Sequence, residues 1–151
     1  MAQPASPRSL AAARLGHGFV AGFLATLVFH QAGLALLHKV GLFGGTAYDM
    51  RPVPPFGVPS VISLAFWGGL WGVAFTLAER AIARCPGGHW VGALLFGAIL
   101  PTLVFWFVVL PLKGFPVGYG FHPRGIAVAL IADGLWGIGT AIFLSLRVSH
   151  R

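Results

Sequence analysis

Asp133 is the residue whose type and position most demand a chemical explanation. It sits in the middle of an apolar run, Ile126–Leu146. An aspartate near the centre of a membrane-spanning helix costs about 2.5–3.5 kcal/mol on insertion scales. Ten Leu, Ile, Val and Phe residues in the same run offset that cost, so the segment still inserts. An intramembrane carboxylate is a functional candidate by default; its structural alternative is a hydrogen-bond anchor between helices. His30 is the natural companion. It lies in an earlier apolar run with Gln31 beside it and Thr26 one turn before it. If the two runs cross the bilayer in opposite directions, both residues fall ~12 Å below the same boundary. A carboxylate next to an imidazole serves as a proton relay, as the outer support of a metal site, or as a buried hydrogen bond. His30 and Asp133 are therefore expected to face the bundle interior and to approach each other.

His38 and His122 belong to the same side of the membrane. With His30 and Asp133 they make four candidate ligands, so a haem or a transition metal is one alternative reading. Spacing weighs against it. On a continuous helix His30 and His38 are ~12 Å apart, too far to share one metal ion. No HxxxH pair and no CxxCH haem attachment occurs. No cofactor is therefore expected. Nor is enzymatic activity, since Walker loops, GxSxG and paired carboxylates are all missing from the sequence.

The elements that must hold these residues follow from composition. Of 151 residues, 57% are hydrophobic and 9% charged, where soluble domains carry about a quarter charged. Mean hydropathy is +0.85. Both a soluble globular fold and disorder are excluded. The net charge of +7 comes from basic residues scattered between long apolar runs. The partner this implies is a lipid bilayer, not nucleic acid. One cysteine, Cys85, excludes an internal disulfide.

A spanning helix needs about 20 apolar residues, and four segments qualify: 16–37, 59–78 (with helix continuing perhaps to 84), 90–110 and 126–146. The whole chain, 1–151, reads as a single integral membrane domain, an all-α bundle of four transmembrane helices. The first segment is too long for a signal peptide's apolar core, and no small-x-small cleavage site follows Leu37. Ser6-Pro7 has the form of a helix N-cap followed by proline.

Within lipid, helices associate through close backbone contact at small residues. Gly18, Gly22, Thr26 and His30 recur every fourth residue. Gly68, Gly72 and Thr76 do the same in the second segment, and Asp133, Gly137 and Ala141 in the fourth. These stripes are the expected packing faces. Pro101 is expected to bend the third helix and free the Gly97 carbonyl for Thr102 or a neighbour. Thr-Leu-Val-Phe occurs at 26–29 and 102–105, and Gly-Leu-Trp-Gly at 69–72 and 134–137. Chance in an apolar alphabet explains these strings as well as two pseudo-repeated helical hairpins do. The proline-rich segment Arg51–Pro59 is expected to be ordered and to fold over the mouth of the bundle, with Phe56 as apolar cover.

The leading functional expectation is a non-enzymatic accessory or structural subunit with a buried polar site, acting in a larger membrane complex or by self-association. The first alternative is an oligomeric transporter or proton- or ion-conducting protein using Asp133 and His30. The second is the haem- or metal-binding redox protein. The expected location is an inner membrane of bacterial type. Arg8, Arg14, Arg80, Arg84, Arg147 and Arg151 flank one side, against Lys39, Arg51, Lys113 and Arg124 on the other. That bias, with the short Cys85–Gly88 turn, places both termini in the cytoplasm. Reporter fusions at the C-terminus test this: a fluorescent cytoplasmic reporter should be active there, and alkaline phosphatase activity in its place overturns the assignment.

Overall fold

The computed structural model describes residues 6–146; Arg147, His150 and Arg151 lie outside the described residues. It is all-helical apart from one short strand pair. Four helices are long and apolar enough to cross a membrane: Arg8–Lys39 (span 1), Ser60–Ala83 (span 2), Gly88–Leu112 (span 3) and Pro123–Leu146 (span 4). Span 1 begins eight residues before the apolar segment read from sequence, and spans 3 and 4 begin two and three residues before theirs, while span 2 ends within the helix expected to reach 84.

Local chemistry sets the ends. The Ser6 hydroxyl accepts the Ser9 amide at 3.2 Å, and Pro7 opens the first helix. That helix then runs on without a break, so Arg8 and Arg14 stand on span 1 itself. Spans 1 and 3 both stop at a glycine in the left-handed region, Gly41 (φ 77°) and Gly114 (φ 77°). There the Leu42 amide returns to the Leu37 carbonyl at 2.8 Å, and the Phe115 amide to that of Leu110 at 2.9 Å. Spans 2 and 3 are joined by the tight turn at Cys85–Gly88, closed by the Gly88 amide on the Cys85 carbonyl at 2.8 Å. This is the turn end of the bundle. The longer connections, 40–59 and 113–122, form the loop end.

Neither span 1 nor span 3 is a uniform α-helix. Span 1 comprises α1 (Pro7–Ala25), a π-helical turn at Thr26–His30 and α2 (Gln31–Lys39). Span 3 comprises α4 (Gly88–Val104), a π turn at Phe105–Val109 and α5 (Leu110–Leu112). Spans 2 and 4 are the single helices α3 (Ser60–Ala83) and α6 (Pro123–Leu146). The recurring Thr-Leu-Val-Phe strings thus fall in unlike structure. The first lies inside a π turn, whereas the second straddles the end of α4. Two pseudo-repeated hairpins are not supported.

Spans 1 and 2 pack closely through glycine. A Cβ added at Gly72 would collide with the Gly18 carbonyl, and one at Gly22 with the Gly68 carbonyl. Spans 3 and 4 meet in the same way: a Cβ at Gly137 would strike the Ala93 carbonyl, and one at Gly97 that of Asp133. Spans 1 and 4 cross between these two pairs, and the Trp136 indole N–H donates to the Gly22 carbonyl at 2.9 Å. Spans 2 and 3 meet near the turn end, where Phe75 and Phe96 stack edge to face at 5.1 Å and Ile82 lies against Gly92. Toward the loop end their backbones part, and span 2 does not pack on Phe105–Leu112. Phe75, Ile82, Ala93 and Ala141 form the buried apolar cluster of the turn-end half.

The proline-rich connection is held but is not a lid. Pro52–Val53 (β1) and Val58–Pro59 (β2) pair antiparallel. Backbone bonds from Ser60 to Arg51 and from Val61 to Asp49, both 2.9 Å, fasten them to the start of α3. Arg51 forks onto Asp49, with Nη2 to Oδ2 at 2.7 Å, and its hydrogen bonds hold the Asp49 carboxyl below the usual range. Phe56, at the tip between the strands, is 86% exposed. It covers nothing, because the hairpin turn carries it away from the bundle.

The glycine contacts make a direct forecast. Gly72→Ala should lower the thermal stability of the purified protein by about 1–3 kcal/mol, the usual cost of overpacking. Gly16→Ala, with nothing within 4 Å of the added carbon, should be neutral or stabilising. Equal effects at the two positions would mean that spans 1 and 2 do not pack through this stripe.

Candidate functional site

Four buried threonines show how the site differs from its surroundings. Thr26, Thr76 and Thr140 donate their hydroxyls back to carbonyls one turn earlier, Gly22, Gly72 and Trp136, at 2.9–3.0 Å. This is the ordinary way for a hydroxyl to be satisfied within an apolar helix. Thr102 does something else. Its hydroxyl crosses from span 3 to span 4 and donates to Asp133 Oδ2 at 2.6 Å. The short distance is that of a charge-assisted bond. Of the partners considered for the Gly97 carbonyl, Thr102 is therefore not the one, since its hydroxyl is given to Asp133.

Span 1 supplies the other side of the carboxylate. His30 Nε2 stands 3.4 Å from Asp133 Oδ1, within ion-pair range though longer than an optimal hydrogen bond. The side chains of His30 and Asp133 are 14% and 21% exposed. His30 closes the π turn that begins at Thr26, in which the Gln31 amide reaches the Thr26 carbonyl five residues back. Such turns insert an extra residue and recur at functional sites. Among the described residues His30 Nδ1 is buried without a hydrogen-bond partner.

Around the pair lies a cavity of about 50 Å³, lined by Thr26 and His30 of span 1, Leu64, Trp67 and Gly68 of span 2, Pro101 of span 3, and Asp133 and Trp136 of span 4. All four spans contribute. Leu64 and Trp67 are also exposed on the bundle surface, so the cavity reaches the surface at span 2. Toward the turn end it is closed by Phe75, which meets both Phe96 and Trp136 edge to face. From the ends of their helices, His30, Thr102 and Asp133 are all ~14–15 Å deep.

The other candidate residues are placed elsewhere. Gln31 is buried, but its Oε1 accepts the Tyr48 amide at 2.7 Å, tying the loop to span 1. His38 is exposed with Nδ1 3.0 Å from the Phe43 carbonyl oxygen, and His122 is exposed at the start of span 4. Among the described residues no three His, Cys, Asp or Glu side chains gather as metal ligands. Gly18, Gly22, Gly68, Gly72, Gly137 and Ala141 lie in the helix contacts. Trp67 and Trp136 were not singled out as site residues by sequence reasoning, and Thr102 was considered only as a partner for the Gly97 carbonyl, not for Asp133. Thr102 follows Pro101 at the depth of Asp133, and that shared depth is the one signal that could have found it.

Thr102→Val keeps the shape and removes the donor. It should cost about 1–3 kcal/mol by stranding a carboxylate oxygen, and markedly less in an Asp133→Asn background. Thr140→Val, whose hydroxyl serves its own helix, is the control. A double-mutant cycle with no coupling between 102 and 133 would refute the bond. Comparison of the chain with protein-family models, curated proteins and solved structures found no match.

Proposed function

We propose that the chain is a non-enzymatic accessory subunit of a bacterial-type inner-membrane assembly, and that its His30–Asp133 pair takes up and releases one proton from the loop end. The observation that carries this reading is the 3.4 Å approach of His30 Nε2 to Asp133 Oδ1. In a low-dielectric bundle, net charge is what costs most. An ionised Asp133 beside a neutral His30 leaves one uncompensated negative charge. Adding one proton makes the pair neutral overall, whichever residue holds it. Among the described residues no other titratable group lines the cavity around it. Span 2 contributes Leu64, Trp67 and Gly68, span 3 Pro101 and Thr102, and span 4 Trp136.

Access from one side favours an accessory role over a transporter acting alone. The cavity lies toward the loop end, while the turn-end half is filled by Phe75, Phe96 and Trp136 and by glycine-to-backbone contacts. On this reading the loop end is the non-cytoplasmic side. A partner would sense the proton through the helices that share the site.

The test is a pH titration of ¹⁵N-histidine-labelled protein in nanodiscs, with the His30 signal assigned by its loss in His30→Gln. His30 should titrate as one coupled step with Asp133, and Asp133→Asn should alter that step while leaving insertion intact. A His30 signal indifferent to pH between 4 and 9, or unchanged by Asp133→Asn, would defeat the proposal.

A further inference from the structure

We propose that the His30–Asp133 cavity also binds a small ammonium cation, of the size of ammonium or methylammonium, in competition with the proton. The inference rests on the functional reading above and gives the site a second ligand. Three features of the lining fit that chemistry.

The first is charge. Asp133 Oδ2 is engaged by the Thr102 hydroxyl at 2.6 Å, while Oδ1 has only the longer contact with His30 Nε2 at 3.4 Å. One carboxylate oxygen therefore remains able to accept a strong N⁺–H donor. The second is the aromatic wall. The Trp136 indole N–H is spent on the Gly22 carbonyl at 2.9 Å, so the ring carbon is what this residue offers to the cavity. Trp67 also lines the cavity. Indoles are the best partners for ammonium-type cations in a desolvated site. Calcium or magnesium is poorly served here, since each takes six or more oxygen ligands and the cavity offers one carboxylate and the Thr26 hydroxyl.

The third is size. About 50 Å³ exceeds what one water requires, and accommodates a cation of one or two heavy atoms. Tetramethylammonium, which has no N–H to donate to Asp133 Oδ1, is the control. Because the site is neutral with one added positive charge, an ammonium ion and a proton on the pair exclude each other. Binding of the cation should weaken as pH falls through the titration of His30.

The experiment uses the full chain in nanodiscs, radiolabelled methylammonium as the probe, and the His30 NMR titration on the same preparation. The expected result is saturable binding, displaced by ammonium but not by tetramethylammonium, and weaker at low pH. Asp133→Asn should abolish it. Trp67→Leu, a change at a residue partly exposed on the bundle surface, should weaken it about tenfold while leaving the fold intact. If His30 titrates but methylammonium does not bind saturably, the cation site is refuted and the proton reading stands. Binding that survives Asp133→Asn, or that tetramethylammonium displaces equally well, also refutes it. Binding that depends on Asp133 in a protein whose His30 does not titrate supports the cation site and removes the proton reading.

Discussion

A single carboxylate among apolar helices is the constraint around which the loop-end half of this bundle is arranged. Hydrocarbon offers Asp133 no hydrogen-bond donor, so the protein must supply every one. Span 3 supplies the Thr102 hydroxyl, span 1 supplies His30, and span 2 closes the space with Trp67 and Gly68. Removing any one of these helices would leave the carboxylate facing lipid. The polar site and the helix arrangement therefore specify each other. A buried polar contact of this kind fixes which helices are neighbours more sharply than interchangeable apolar contacts do.

Precision comes from the glycines. A hydroxyl and a carboxylate on different helices meet at 2.6 Å only if the helix axes are close. The contact of Gly97 with the Asp133 carbonyl and the Gly137 backbone brings spans 3 and 4 together at that level. On the other side, Gly22 lies against Gly68 and Gly72, and its carbonyl also accepts the Thr26 hydroxyl and the Trp136 indole. Gly22 thus joins spans 1, 2 and 4 at a single peptide. A side chain there would separate all three, and His30, two turns away, would be displaced from Asp133.

Much of this is legible in sequence because membrane spans obey simple rules. Length and apolarity mark the four helices. Spacing by four marks the packing faces, and counting from the span ends puts His30 and Asp133 at one depth. What is not legible is whatever depends on departures from the regular helix. The π turn at Thr26–His30 has no periodic signature, yet it sets the direction in which His30 points. It also passes Gln31 to the Tyr48 amide, although Gln31 neighbours His30 in sequence. Sequence offered Thr102 only as one of several partners for the carbonyl freed by Pro101, because a local partner is the one that spacing can show. The structure prefers the distant partner because an unpaired carboxylate oxygen costs more than an unpaired carbonyl. Phe56 shows the converse: prolines order a segment without determining where its tip points.

The loop end and the turn end also divide the work of the bundle. At the turn end, apolar and aromatic side chains fill the space between spans 2 and 3, and Arg14 pairs with Glu79 at 2.8 Å on the exposed surface. Such a surface pair adds little stability, so that half is held by packing. At the loop end the same two spans diverge, and the volume between them is where the polar groups collect. Filling it with larger apolar residues would add contacts and bury the carboxylate beyond reach. The bundle instead leaves Asp133 beside an imidazole, a hydroxyl and a small open space. That arrangement is costly for stability alone, and its chemistry is what gives it a use: one positive charge, arriving from the open side, neutralises the pair.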